Sequence, residues 1–394
     1  MKKGYFRRCM VAVASAGALI LSVLAGCGGK AEEKEDLENT EIFGTYTISQ
    51  NAAFRIDGGE FLRYVDVETG QVGYYCNKPA CLHNDKSCGA YFEGMITAFF
   101  YQGKLYVLTR AHGDTLEGLV IIKCDITGEN RQEIPVKSQV LFENAFTQVS
   151  DGKVYMLGKE FKDKKYNETV DSIYAVSLED GTAECLVRAE EENENLAHFW
   201  VVGDKIVYTR FICDTNMKEL FQEQGSFEGI SWDEIHFTYR LEMYDMAAGN
   251  RDLVGETVMK GTESSTISML CVEEDDLYYK NEQDIIIRYD YDTKESELIG
   301  KLPAEYDEWE ILDSQDIGEG VIIPFLEIGV GAELVWFDES FQEYRKLGIT
   351  DYPNASCEGR CGDKVWFQNS NTIFYIDIED LRNEEYHIHA MPEL

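Results

Sequence analysis

Residues 151–157 read DGKVYML, and residues 172–182 read SIYAVSLEDGT. An acidic-glycine pair opens a short apolar, aromatic run; a second run follows and ends in a polar turn. Side chains in such runs alternate between the two faces of a pleated strand, so each run predicts a strand and each polar pair a turn. The same phrase recurs as QGKLYVL (102–108) with VIIKCDITGEN (120–130), and as VGDKIVYT (202–209) with RLEMYDMAAGN (240–250). It returns as EEDDLYYK (273–280) with IIIRYDYDTKE (285–295), GEGVIIPF (318–325) with ELVWFDESFQE (333–343), and CGDKVWFQ (361–368) with TIFYIDIEDLR (372–382). An earlier copy, AAFRIDGGEFLRYVDVETGQV (52–72), makes seven units.

Aligned on their turns, most units start about 44 to 52 residues apart, which suits a four-stranded blade. One blade cannot cover both of its faces, so a ring of blades is the economical fold. The expected architecture is therefore all-β: a β-propeller over residues 43–394, seven-bladed, with six or eight blades as alternatives and paired β-sandwiches as the competing design. Helical periodicity is nearly absent, which excludes helix bundles and doubly wound α/β folds. The strand GTYTISQ (44–50) is expected to close the ring by joining the last blade. One gap between units is long and holds CDTNMKELFQEQGSFEGISWDEIHFTYR (213–240). A short helix is predicted near Asn216–Gln224, on an insertion of the kind that carries recognition.

The chain opens MKKGYFRRCMVAVASAGALILSVLAGC. Lys2, Lys3, Arg7 and Arg8 precede an apolar run from Met10 to Leu24 that is too short to span a bilayer comfortably, so residues 1–26 read as a signal peptide. Leu24-Ala25-Gly26-Cys27 resembles the lipobox of bacterial lipoproteins. That resemblance implies that Cys27 is diacylated and tethers the protein to the extracellular face of the cell membrane, without a spanning helix. An ordinary secretory signal with a chance cysteine is the alternative. Residues 27–42 contain no aromatic side chain and are expected to form an acidic, flexible tether.

The formal charge is −37, and the signal adds four positive charges and no negative ones, leaving about −41 on the mature chain. Such a surface repels nucleic acid and anionic headgroups, so nucleic-acid binding is not expected. The runs Glu190–Glu192 and Glu273–Asp276 read as solvated loops, since no spaced calcium loop accompanies them. The aromatic residues (Tyr 23, Phe 20, Trp 5) fall at strand positions such as Tyr106, Tyr155, Trp336 and Trp366, as inter-blade packing requires.

Of eleven cysteines, Cys9 leaves with the signal and Cys27 is the lipidation site. Cys124, Cys185, Cys213 and Cys271 lie singly in apolar strands and read as small buried hydrophobes. Cys357 and Cys361 form a candidate disulfide. The remaining three belong to YYCNKPACLHNDKSCGAYF (74–92), with spacing C-x4-C-x-H-x4-C. Cys76, Cys81, His83 and Cys88 supply three thiolates and an imidazole, the donor set of tetrahedral structural zinc. A disulfide between two of the cysteines, or a catalytic Cys–His pair, are the alternatives. The longer segment YVDVETGQVGYYCNKPACLHNDKSCGAYF (64–92), behind a lipobox and ahead of β-repeats, resembles a group of clostridial surface lipoproteins. These are similar to propellers of TolB-like and YWTD-like type, although the YWTD tetrapeptide itself is absent. The resemblance implies a fold and an address and carries no reaction with it.

No nucleophile elbow, zincin helix or phosphate loop occurs in the sequence. His112, His198, His236, His387 and His389 are scattered, and the last two read as a surface pair. The expected function is a monomeric, surface-anchored binding or scaffolding module for an extracellular glycan, peptide or partner protein. An exported polysaccharide-acting hydrolase or lyase, with acidic residues at the channel mouth, is the alternative. A partner of a co-encoded transporter is a third.

Overall fold

The computed structural model describes residues 41–392, except 44–45, 111–117, 139, 143–146, 162–168, 191–192, 218–219, 222–229, 262–266, 274, 308, 313, 328–330, 350, 370–371 and 385. The signal segment, Cys27 and nearly all of the tether lie outside the described residues, as does His112. So does most of the helix expected at 216–224, of which one helical hydrogen bond is described, from the Leu220 N–H to the Asn216 carbonyl at 3.0 Å.

The strands fall into seven antiparallel sheets that follow one another along the chain. Blade 1 contains β1 (Glu41–Phe43), β2 (Tyr46–Ile48), β3 (Ala52–Asp57), β4 (Phe61–Asp66) and β5 (Val72–Tyr74). The other blades span 95–135, 140–188, 194–260, 268–301, 310–346 and 356–390. Each repeat recognised in the sequence supplies the second and third strands of one blade. The tight hairpins need positive φ, which explains the glycine and acidic pairs: Gln102-Gly103 and Asp151-Gly152 both turn with two left-handed residues. At the opposite end of the third strand an aspartate caps the next turn. Asp66 accepts from the Thr69 N–H at 2.8 Å, and Asp245 and Asp290 repeat the bond to Ala248 and Thr293 at 2.7 Å.

Apolar clusters lie between blades rather than within them. One joins blades 1 and 2 around Phe54 and Phe100, and the next joins blades 2 and 3 around Tyr106 and Met156. Further clusters fill the 3–4, 4–5, 5–6 and 6–7 interfaces. The seventh joins Trp366 and Tyr375 of blade 7 to Tyr46, Ile48 and Val65 of blade 1. Seven sheets with seven inter-blade cores make a closed, seven-bladed propeller. The second strands are buried on both sides, so Leu105, Val107 and Leu108 are all fully covered. Tyr106, Tyr155 and Trp366 are buried as expected, and Trp336 is half-covered beneath the Arg345 guanidinium at 4.6 Å.

The expectation that 44–50 joins the last blade is overturned. Tyr46–Ile48 pairs with β3 and is the inner strand of blade 1, while blade 7 is completed by its own residues His389–Ala390. The ring therefore closes by side-chain packing and not by strand exchange. β1 pairs with β2 on the side away from β3, which places it in the central channel. Its Ile42 packs against the core of blades 2 and 3, and the strand also touches Ser356–Cys361 of blade 7.

Candidate metal centre

β5 runs outward along blade 1 and ends at Tyr74, and the next blade begins at Met95. The intervening connection carries the cysteines. It turns at Lys78-Pro79-Ala80-Cys81, where the Cys81 N–H donates to the Lys78 carbonyl at 3.3 Å and Ala80 adopts φ +58°. Proline's fixed φ suits the second position of such a turn. His83 is also left-handed, φ +52°, so Cys81 and His83 converge through a folded loop and not through an extended strand. A third turn, in which the Cys88 N–H donates to the Asp85 carbonyl at 3.0 Å, brings Cys88 back.

The result is that Cys76 Sγ, Cys81 Sγ, Cys88 Sγ and a His83 ring nitrogen all lie within 4.8 Å of one another. His83 Nδ1 is 3.2 Å from Cys88 Sγ. The site is sheltered: Cys88 is buried, the other three are half-covered, and Tyr74 stacks on the His83 ring at 4.8 Å. Backbone amides face the sulfurs, with Gly89 N–H donating to Cys76 Sγ at 3.2 Å and Ala90 N–H to Cys88 Sγ at 3.3 Å. Burial raises the pKa of the Cys76 thiol, but hydrogen bonds from Lys78, Gly89 and the neighbouring thiols outweigh it and lower the pKa overall. Burial, with the neighbouring sulfurs Cys81 and Cys76, pushes Cys88 up. Three clustered thiols cannot all ionise without a cation, a charge that a divalent soft-to-borderline metal would supply. An ion held tetrahedrally by all four donors would keep no open position for a reacting water.

The structure thus brings together the four residues singled out by spacing, and among the described residues no two cysteines are joined in a disulfide. Spacing did not reveal the supports. Arg131, from blade 2, donates to the carbonyls of Tyr91 (2.7 Å), Gly128 (3.1 Å) and Gly89, and lies 3.9 Å over the Phe92 ring. Asn77 bonds Glu129 at 3.2 Å, and the Tyr75 hydroxyl donates to the Ile126 carbonyl. The cluster therefore staples the rim of blade 1 to a turn of blade 2.

Two other cysteine expectations are corrected. Cys357 is buried in the 6–7 core and Cys361 packs against the 7–1 core, so the two face different interfaces and are not joined to each other. A bulge between Cys357 and Gly359 shifts the register and cancels the parity that four-residue spacing implies. Cys124, Cys213 and Cys271 are buried as expected, but Cys185 is exposed, because its strand is the open edge of blade 3. His198 lies on the channel-side strand of blade 4, and His236 bonds Asp214 at 3.0 Å beside the insertion.

No protein-family model matches the sequence, and no curated protein matches it. Among solved structures, a puromycin-hydrolysing peptidase of Mycobacterium tuberculosis is similar over 91% of this chain and 53% of its own, at 11% identity and a TM-score of 0.55. Oligopeptidase B of Leishmania major matches 90% of this chain and 49% of its own, at 8% identity and a TM-score of 0.51. The β-propeller domain of the trilobed protease of Pyrococcus furiosus matches more loosely, over 86% and 94%, at 10% identity and a TM-score of 0.45. The chain spans about half the length of the two peptidases. At such identities the likeness is one of fold alone.

Proposed function

We propose that this protein is a cell-surface lipoprotein whose propeller binds an extracellular glycan, peptide or partner protein. Acylated Cys27 holds it at the outer face of the cell membrane, and a structural zinc ion sits among Cys76, Cys81, His83 and Cys88. The observation that carries the binding reading is β1. It lies in the channel, against blades 1, 2 and 3 together, where a propeller enzyme of the alternative kind would need room for a substrate. Its register also sets an orientation. Glu41 pairs with Ile48, at the face of the tight first hairpins, so the tether joins the propeller there. The long insertion after Cys213 belongs to the opposite face, because it links the far ends of the second and third strands of blade 4. A protein anchored through Cys27 would present that insertion away from the membrane.

A glycan and peptide binding screen on the full chain in detergent tests the function. Saturable binding that weakens when 214–235 is replaced by a short turn is expected. Shortening of a glycan without stable binding would overturn the reading in favour of a hydrolase or lyase. Native mass with and without a chelator tests the zinc: loss of one zinc ion is expected, and a mass lower by two protons with no metal would assign a disulfide instead.

A further inference from the structure

We propose a second divalent-cation site on the rim of blade 7, formed by Asp377, Asp380 and His389, with His387 holding Asp380. It is independent of the cysteine cluster and of a different chemistry. The third strand of blade 7, Thr372–Asp377, ends in Asp377, and a one-turn helix, α1 (Ile378–Arg382), follows it directly. Asp380 is three residues on, so the helix returns its carboxylate to the side of Asp377. The chain then comes back as the outer strand, where His389 lies opposite Tyr375 in the ladder. Asp377 is two positions beyond Tyr375, so the imidazole and the Asp377 carboxylate share one face of the sheet.

Single donor atoms from Asp377, Asp380 and His389 lie within 4.8 Å of one another. His389 Nε2 is 3.7 Å from an Asp377 oxygen, too long for a good hydrogen bond and open to an ion between them. Tyr375 stacks on the His389 ring at 4.7 Å and 9°, which fixes the imidazole plane. His387 Nδ1 is 3.1 Å from Asp380 Oδ2, the outer-sphere bond that orients a ligating carboxylate. Of the neighbouring cations, Lys364 lies opposite Asp377 in the ladder and 5.4 Å over the Tyr375 ring but bonds Asp363 at 2.9 Å, and Arg382 holds Glu319. Two carboxylates and an imidazole select zinc, cobalt or nickel over the oxygen-only preference of calcium and magnesium. His389 is 45% exposed, so the remaining positions of the ion belong to water and the ion exchanges readily.

Cobalt(II) separates this site from the cluster, because thiolate ligands add a near-ultraviolet charge-transfer band that nitrogen and oxygen ligands do not. The full chain is first given one equivalent of zinc, then titrated with cobalt in excess calcium, which occupies sites made of carboxylates alone. Wild type should take one further cobalt ion, with visible d–d absorption and no charge-transfer band. His389→Gln should abolish this uptake, and His387→Gln should weaken it about 10- to 100-fold. Both residues are exposed, and an unchanged melting temperature verifies that the variants are folded. No further cobalt in wild type, or equal uptake by His389→Gln, overturns the proposal. If the cluster takes no metal, the charge-transfer band is missing in a direct cobalt titration, while the blade 7 signal is unaffected.

Discussion

Gly89 shows how little room the cysteine cluster leaves. A Cβ built there would come within 3.1 Å of Cys76 Sγ, so the bare amide is what allows the N–H to reach the sulfur. Gly89→Ala should therefore displace Cys76 and weaken the proposed zinc binding about 10-fold or more, as loss of a supporting contact does at metal sites. Competition with a chromophoric chelator reads this directly. The four donors were legible because cysteine and histidine are rare and close in sequence; Gly89, Tyr74 and Arg131 were not, because their roles depend on which backbone faces a sulfur. Arg210 was equally hidden. It is 4% exposed and donates to Glu194 at 2.9 Å and Glu242 at 3.2 Å, while the Tyr208 hydroxyl donates to Glu242 at 2.5 Å. Removing the cation strands two nearly buried carboxylates, so Arg210→Met should cost about 3–5 kcal/mol in a urea titration. Arg210→Met combined with Glu242→Gln should recover part of that loss, since one of the stranded charges is then gone.

At the scale of elements, the hairpins were readable and the exceptions were not. Glycine-acidic pairs and strand-ending aspartates are local chemistry, and they mark the second and third strands of most blades. β1 is three residues long, belongs to no repeat, and is placed by contacts with distant blades, so periodicity had nothing to report about it. The bulge in Ser356–Cys361 is likewise invisible to a count of residues, yet it decides where two cysteines point. The first hairpin of blade 5 carries a consequence for pH. Glu273 is held with its pKa above the ordinary 4.5, first by partial burial and then by the charges of Asp316, Asp276 and Glu339. A carboxyl whose folded pKa is raised binds its proton more tightly in the folded state, so its ionisation works against folding. That penalty is absent below the unfolded pKa and grows as pH rises through the folded one. Glu273→Gln should thus raise the melting temperature at neutral pH, with the gain shrinking towards zero as pH falls below about 4. A gain that is the same at both pH values would show that the charge of Glu273 is not responsible.

The whole molecule is a ring in which the chain runs through six of the seven blade interfaces and leaves the last one to packing alone. Among the described residues no strand is exchanged across the seam between blades 7 and 1, and its largest buried side chain is Trp366, fully covered against Tyr46, Ile48 and Val65. The Trp366 indole N–H has no hydrogen-bond partner there, so the residue contributes through shape and apolar area. Trp366→Ala should cost about 3–5 kcal/mol, the usual range for emptying an aromatic core site. Phe325→Ala, in the 5–6 core, removes a comparable buried ring where the chain still joins the two blades. The two variants should differ in kind more than in amount. In a ring of nearest-neighbour units, weakening a linked interface leaves the blades held at close range, whereas weakening the unlinked seam frees two ends. Trp366→Ala should therefore lose hydrogen-exchange protection first in 46–74 and 356–391 and broaden the denaturant transition, while Phe325→Ala keeps a single sharp transition at a lower midpoint. If both variants unfold in one equally sharp step, the seam is no weaker than the linked interfaces, and side-chain packing alone makes the ring a single cooperative unit.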